Sequence, residues 1–365
     1  MPRRLWPALL VGLLSVLLSA ELFAHVWLRH VVGLDWAPEY AGGTADARLI
    51  GEWRVPHETW GNWHKPNARA RHEAACFSVA LESNAEGARD RPRGREGTGR
   101  ILVLGESFVE GTGVAAEHRF TDVLEAQLGR EVLNFGAATH GPLQYQLVYE
   151  DLARHYAHAH VLVLLLAYND FTDNDWDWPQ AKSGGARRYR PYYQATDDGA
   201  YRAIYPPRRR EADGIARAPG TWDGIARAIR RNSWALRAGE HLGAWMRGEL
   251  TYSGYYDATD AQLAAVMWSL ARIRDLAGDR AMTVAIAPRE HEIARARAAG
   301  PSPMVRKLTA FGAGHGIGVI DLLPALAAAG PERLYLPCDG HWNEAGHRAA
   351  AAALLASGRF GPARP

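Results

Sequence analysis

ILVLGESFVEGTGV, from Ile101 to Val114, decides how the rest of the chain is read. Four consecutive apolar residues, Ile101 to Leu104, closed by Gly105, read as a short strand buried on both faces, the kind found in parallel sheets. Glu106-Ser107-Phe108 follows, and then Gly111 and Gly113. That order places a serine just past the carboxyl end of a strand, where open α/β sheets keep their ligand crevices. Taken alone, a serine there is more often a helix N-cap than a nucleophile.

Outward from this stretch the chain alternates. Helical spacing over Ala115 to Leu128 is followed by a second short strand, Glu131 to Gly136. Helical spacing resumes from Gln144 to His158. His160 to Leu166 is the most apolar strand in the chain and ends in Ala167-Tyr168-Asn169-Asp170. Further on come a helix over Gln262 to Leu276, a strand over Met282 to Pro288, a helix over Pro303 to Gly314 and a strand over Gly318 to Leu322. This alternation predicts an α/β fold, a parallel five-stranded sheet with helices on both faces.

Gly105-Glu106-Ser107-Phe108-Val109-Glu110-Gly111 resembles the Gly-Asp-Ser-(Leu/Phe) block of the SGNH/GDSL hydrolases. Three further blocks of that family recur in order: Gly136 after the second strand, Asn169-Asp170 after the third, and Cys338-Asp339-Gly340-His341-Trp342-Asn343. The resemblance covers roughly Gly99 to Ser357. It implies a three-layer α/β/α sandwich of flavodoxin-like type and ester hydrolysis without a cofactor. In the roles it implies, Ser107 is the nucleophile, His341 the general base, and Asp339 the carboxylate that orients the imidazole. The Ser107 and Gly136 N–H groups and the Asn169 amide would hold the oxyanion. Asn84 to Asp90 is similar to an Asn-Ser-x-Gly-x-Arg-Asp element that precedes the nucleophile block in exported members. Three departures stand out: Glu106 where the family has Asp, Ala167 where it more often has Gly, and Asp-x-His where many members have Asp-x-x-His. The closer spacing occurs with His-Trp in polysaccharide-modifying relatives. Asn343 is placed to cap the last helix, and His347 falls inside that helix.

The amino terminus follows another pattern. Pro2-Arg3-Arg4 precedes an apolar run from Leu5 that, counted to Leu28, is long enough to cross a bilayer, so residues 1–30 read as a signal anchor. The arginines put the amino terminus in the cytoplasm and the bulk of the chain outside. A cleaved signal peptide ending near Leu18-Ser19-Ala20 is the competing reading, and either way the catalytic part is exported. Residues 31–98 show no long period and read as irregular chain laid over the core, with one edge strand at Phe77 to Leu81. Residues 99–357 form the hydrolase domain, with an insertion at 171–257 rich in tryptophan, tyrosine and arginine that would wall the substrate cleft.

A net charge of +2 on 365 residues gives no bulk attraction to nucleic acid. The two cysteines, Cys76 and Cys338, either pair in the oxidising exterior or remain buried thiols. His155, His158 and His160 span a helix end and a strand start, so no metal site is read there. The expectation is an exported serine esterase acting on O-acetyl or other short acyl esters of an envelope or secreted glycan. Two alternatives stay open: an O-acyltransferase using the same triad, and a non-catalytic glycan-binding protein.

Overall fold

The computed structural model describes residues 5–31, 49, 51–74, 76–178, 187–208, 233–246, 252–337 and 339–361. The chain divides into two compact units, Met1–Thr44 with Ala216–Thr251, and Ala45–Ile215 with Tyr252–Pro365. The insertion expected at 171–257 is therefore split. Its first part belongs with the sheet domain and its second with the amino-terminal helix.

In the smaller unit, the helix Leu5–Val26 continues through a π turn at Trp27–Val31. Within it Leu9–Val31, 23 residues of mean hydropathy 2.0, is long and apolar enough to cross a membrane. The side chains from Leu9 to Phe23 include many exposed leucines and valines, a surface that water disfavours. This helix packs against the helix Trp234–Met246. Glu21 accepts hydrogen bonds from Trp234 N (2.6 Å), Ala235 N (3.3 Å) and the Ser233 hydroxyl. A carboxylate there satisfies the orphan N–H groups of the helix start and meets the positive end of its dipole.

The larger unit opens with two antiparallel hairpins, β1 (Arg54–His57) with β2 (Gly61–His64) and β3 (Arg69–Ala74) with β4 (Phe77–Glu82). The strand expected at Phe77 to Leu81 exists, but it pairs with β3 and does not edge the main sheet. Irregular chain was expected here because the segment shows no long period of either kind. Burial of the hairpins comes from aromatic anchors: Trp53, Trp60 and Trp63 are all buried.

The central sheet contains β5 (Ile101–Gly105), β6 (Val132–Gly136) and β7 (His160–Leu166). Beyond the hairpin of β8 (Tyr192–Ala195) and β9 (Tyr201–Ile204) come its last two strands, β10 (Ala281–Ala287) and β11 (Ile317–Asp321). All neighbours are parallel, in the order β6-β5-β7-β10-β11. Counted along the sheet this is 2-1-3-4-5, a doubly wound order whose switch point lies between β5 and β7. The continuous apolar runs resolve into two faces because successive side chains alternate. Leu102, Leu104, Val161, Val163, Leu165, Val284 and Ile286 face the helices Pro142–Asp151, Asp260–Ala277 and Pro303–His315. Ile101, Val103, Leu162, Leu164, Leu166 and Ala285 face Phe120–Leu128, Glu290–Ala299 and Glu344–Ala356. The result is a three-layer α/β/α sandwich.

Candidate active site

At the carboxyl end of β5 the chain turns through Glu106 into the short helix Ser107–Glu110, which Gly111 closes at φ 86°. That left-handed angle suits a residue without Cβ. Glu106, not Ser107, holds the N-cap position, so the capping reading of Ser107 lapses. Ser107 Oγ lies 2.7 Å from His341 Nε2 and 2.8 Å from Glu106 Oε1. The Ser107 N–H has no hydrogen-bond partner among the described residues.

His341 arrives from the other end of the chain on a tight loop. Leu336 O accepts from Asp339 N (3.2 Å) and Gly340 N (2.9 Å), and Leu336 N donates to His341 O (2.7 Å). The turn brings Asp339 Oδ1 into hydrogen-bond contact with His341 Nδ1. Burial alone would raise the Asp339 carboxyl, but the charge and hydrogen bond of His341, with Arg289 and His72 nearby, outweigh it and hold the group below its usual range. The Phe108 ring packs 4.9 Å from the His341 ring, and buried Trp342 meets Phe108 edge-on at 4.8 Å. Asn343 accepts from Ala345 N (2.9 Å) and Gly346 N (3.1 Å), capping the last helix. Within that helix His347 is fully buried, and burial lowers its pKa to about 3. As a neutral ring it accepts from Phe120 N at 3.2 Å, a packing role.

The three groups expected to meet an oxyanion fare differently. Asn169, after β7, donates its amide hydrogens to Glu106 Oε2 (3.2 Å) and Asp173 Oδ2 (2.8 Å). It therefore faces the carboxyl that touches Ser107 Oγ. Gly136 does not supply a free donor: its N–H is bonded to Asn134 Oδ1 at 2.9 Å. Its glycine identity answers a steric need instead. A Cβ at this position would lie 2.6 Å from Val109 Cβ and closer still to Glu110 N, so only a bare Cα lets the helix Ser107–Glu110 rest on β6.

Several residues around the site had no obvious signal in the sequence. Arg89, buried, donates to the carbonyls of Glu110 (2.8 Å), Gly111 (2.6 Å) and Val114 (2.8 Å), tying down the loop behind Ser107. Its neighbour Asp90 accepts from Asn134 N at 3.1 Å and pairs with Arg93 at 3.0 Å. The Arg89 and Asp90 side chains, in the Asn84 to Asp90 element, thus brace different parts of the domain. Buried Glu110 accepts from Trp53 Nε1 (3.1 Å) and Ala138 N (2.5 Å). Burial would raise that carboxyl, but His64, Arg54 and Arg89 hold it well below its ordinary value. Asp173 pairs with buried Arg190 at 2.6 Å. Asp170, also buried, accepts from Tyr145 OH (2.7 Å) and Leu166 N (2.8 Å). Thr139 sits at φ 70°, a left-handed conformation uncommon outside glycine. Asn62 donates to its hydroxyl (3.1 Å) and Arg190 to its carbonyl (2.9 Å).

Cys76 is disulfide-bonded, and Cys338 lies outside the described residues. His158 is bonded to Tyr149 OH at 2.9 Å and Tyr156 O at 2.6 Å, and His160 to Thr283 Oγ1 at 2.9 Å. Both rings serve packing, and no cluster able to hold a metal occurs among the described residues.

No protein-family model matches the sequence, and no curated protein does. The chain is similar in fold to a member of the lipolytic G-D-S-L family from Veillonella parvula, at 16% identity over 70% of this chain and 96% of that one, with a TM-score of 0.37. It is similar to a lipase/acylhydrolase from Enterococcus faecalis at 11% identity, over 72% and 96%, TM-score 0.39. A catalytic mutant of an acetylxylan esterase from Geobacillus stearothermophilus aligns at 9% identity, over 73% and 95%, TM-score 0.40. At identities and TM-scores this low the likeness carries no argument about activity.

Proposed function

We propose that the chain is a serine esterase of SGNH/GDSL type, working through an acyl-enzyme on Ser107. One observation carries the reading: Ser107 Oγ at 2.7 Å from His341 Nε2, with Asp339 on the far nitrogen of the same ring. The contact sits at the carboxyl ends of β5 and β7, where a doubly wound sheet places its ligands. His341 takes the hydroxyl proton as the oxygen attacks an ester carbonyl and returns it to the leaving alcohol. Asp339 holds the ring in the tautomer that leaves Nε2 free to accept and stabilises the imidazolium that forms. The free Ser107 N–H and, once it releases Glu106, the Asn169 amide meet the developing negative charge.

The ester is a short acyl group on a carbohydrate outside the cytoplasm. Two features support that choice. The Leu9–Val31 helix, preceded by Arg3 and Arg4, suits an anchor with the domain on the outer side. Aromatic rings gather in the hairpin segment: Trp176 under Arg187 at 4.2 Å, Tyr189 stacked on Tyr205 at 5.6 Å, and Arg208 over Tyr189 at 4.4 Å. Such rings form the flat apolar faces on which sugars stack.

The test is release of p-nitrophenol from p-nitrophenyl acetate by the full chain in detergent, against Ser107→Ala. Hydrolysis that disappears in the variant is the expected result. Adding oligosaccharide acceptors to the same assay separates hydrolysis from transfer: an esterase turns over without them. Equal background rates in both proteins would contradict the esterase.

A further inference from the structure

Two acceptor-bearing side chains contact one serine oxygen. Ser107 Oγ lies 2.8 Å from Glu106 Oε1 and 2.7 Å from His341 Nε2. Each contact at that distance needs a hydrogen between the heavy atoms. Ser107 brings one hydrogen, so a second must come from Glu106 or from His341. If it sits on His341, the ring is an imidazolium, Ser107 donates to an ionised Glu106, and the base is already protonated. If it sits on Glu106, the acid donates to Oγ and the Ser107 hydrogen points at a neutral Nε2. Only this second arrangement is ready to react. The two hold the same number of protons and differ by a shift along Glu106–Ser107–His341.

The surroundings of Glu106 favour the second. Its side chain is buried. From the loop after β7, Asp173 shares the Asn169 amide with it, and buried Asp170 lies behind. Tyr145, from the helix Pro142–Asp151, adds a phenol whose proton is held by Asp170. The cation Arg190 is paired with Asp173. His341, backed by Asp339 on the closing loop, and the hydrogen bonds from Asn169 and Ser107 favour the charged form. Burial comes first among these influences, and the net direction for Glu106 is upward.

Building on the esterase reading, we infer that Glu106 is a catalytic residue in its neutral form, a hydrogen-bond donor to Ser107 Oγ that turns the serine hydroxyl toward His341. When Glu106 ionises and His341 is neutral, the carboxylate is the stronger acceptor and draws the Ser107 hydrogen away from the base. Activity is therefore present while Glu106 keeps its proton and falls as pH rises through its titration. The pH profile of kcat therefore carries a falling alkaline limb that belongs to Glu106. The family's Asp at this position is one methylene shorter; the longer Glu106 reaches both Oγ and the Asn169 amide at once.

Glu106→Gln tests this directly. The amide offers one donor to Oγ and one acceptor to Asn169, as the neutral acid does, but cannot ionise. Profiles of kcat for p-nitrophenyl acetate over pH 6 to 9.5 are compared for wild type, Glu106→Gln, Glu106→Ala and Ser107→Ala, with melting curves to confirm folding. The expected result is an alkaline fall of kcat for wild type that is absent in Glu106→Gln. Glu106→Ala should lose at least tenfold in kcat at the wild-type maximum and show no alkaline fall. A wild-type plateau, or a Gln variant as impaired as the Ala variant, would overturn the inference while leaving the esterase standing, provided Ser107→Ala is inactive. Hydrolysis by Ser107→Ala at the wild-type rate would overturn both.

Discussion

Asp339 has no contact with Ser107, yet its hydrogen bond to His341 Nδ1 determines which ring nitrogen carries the proton. Asp339→Asn keeps the shape of the side chain but can offer its N–H to Nδ1, forcing the proton onto Nε2 where the serine hydrogen must go. We expect kcat for p-nitrophenyl acetate to fall by about 10⁴-fold with KM little changed, and a loss of less than tenfold would contradict the role. That Ser107, Asp339 and His341 come together was legible in the sequence, because each lies in a short block with the local order of the family it resembles. Gly136 was legible as a glycine that mattered but not for its reason. A glycine ending a strand looks the same whether its N–H or its missing Cβ is needed, and only the position of Val109 against it decides. The use of Glu106 was hidden for a similar cause. Its replacement of Asp is plain in the sequence, but its contact with Oγ depends on Asn169 and Asp173, more than sixty residues away.

At the scale of elements, the helix Ser107–Glu110 is held by β6 beneath it and Arg89 behind it. Gly136→Ala would push a methyl into Val109 and the Glu110 backbone. We expect a destabilisation of about 1–3 kcal/mol, read by urea unfolding, with kcat reduced because the helix carrying Ser107 must move. An unchanged midpoint would contradict the packing role. The helix Glu290–Ala299 carries a second buried carboxyl. Glu292 accepts from Ser253 Oγ (2.7 Å) and Arg289 N (2.9 Å), and burial raises its pKa from 4.5 to about 7. The folded state then binds a proton that the unfolded chain has released. Stability from this group is full below pH 4.5, declines as pH rises toward 7, and is flat beyond. Glu292→Gln should flatten that part of the stability curve, a change of roughly 3 kcal/mol at most. A slope unchanged between pH 4.5 and 7 would rule out Glu292 as its source. The sheet strands were readable at this scale because each is an apolar run. The two amino-terminal hairpins were not, since their short strands lie in a segment without a long period and Trp60 and Trp63, far from the sheet strands in sequence, join its core.

At the scale of the whole molecule, the chain is two units, one built on a doubly wound sheet and one on an apolar helix joined to Trp234–Met246 through Glu21. The division of the long insertion between them was not legible, because residues far apart in the sequence supply each unit. If Leu9–Val31 anchors the protein, the full chain should sediment with membranes and resist extraction by high salt and carbonate. Recovery in the soluble fraction after such washing would contradict an uncleaved anchor. The central claim is that Ser107 is a nucleophile activated by His341, and covalent labelling tests it most directly. The full chain in detergent is treated with a fluorophosphonate and digested, and the peptides are mapped by mass spectrometry. We predict a single adduct on Ser107, formed at least a hundredfold more slowly in His341→Ala; no adduct, or one on another residue at the same rate in both proteins, would contradict the account.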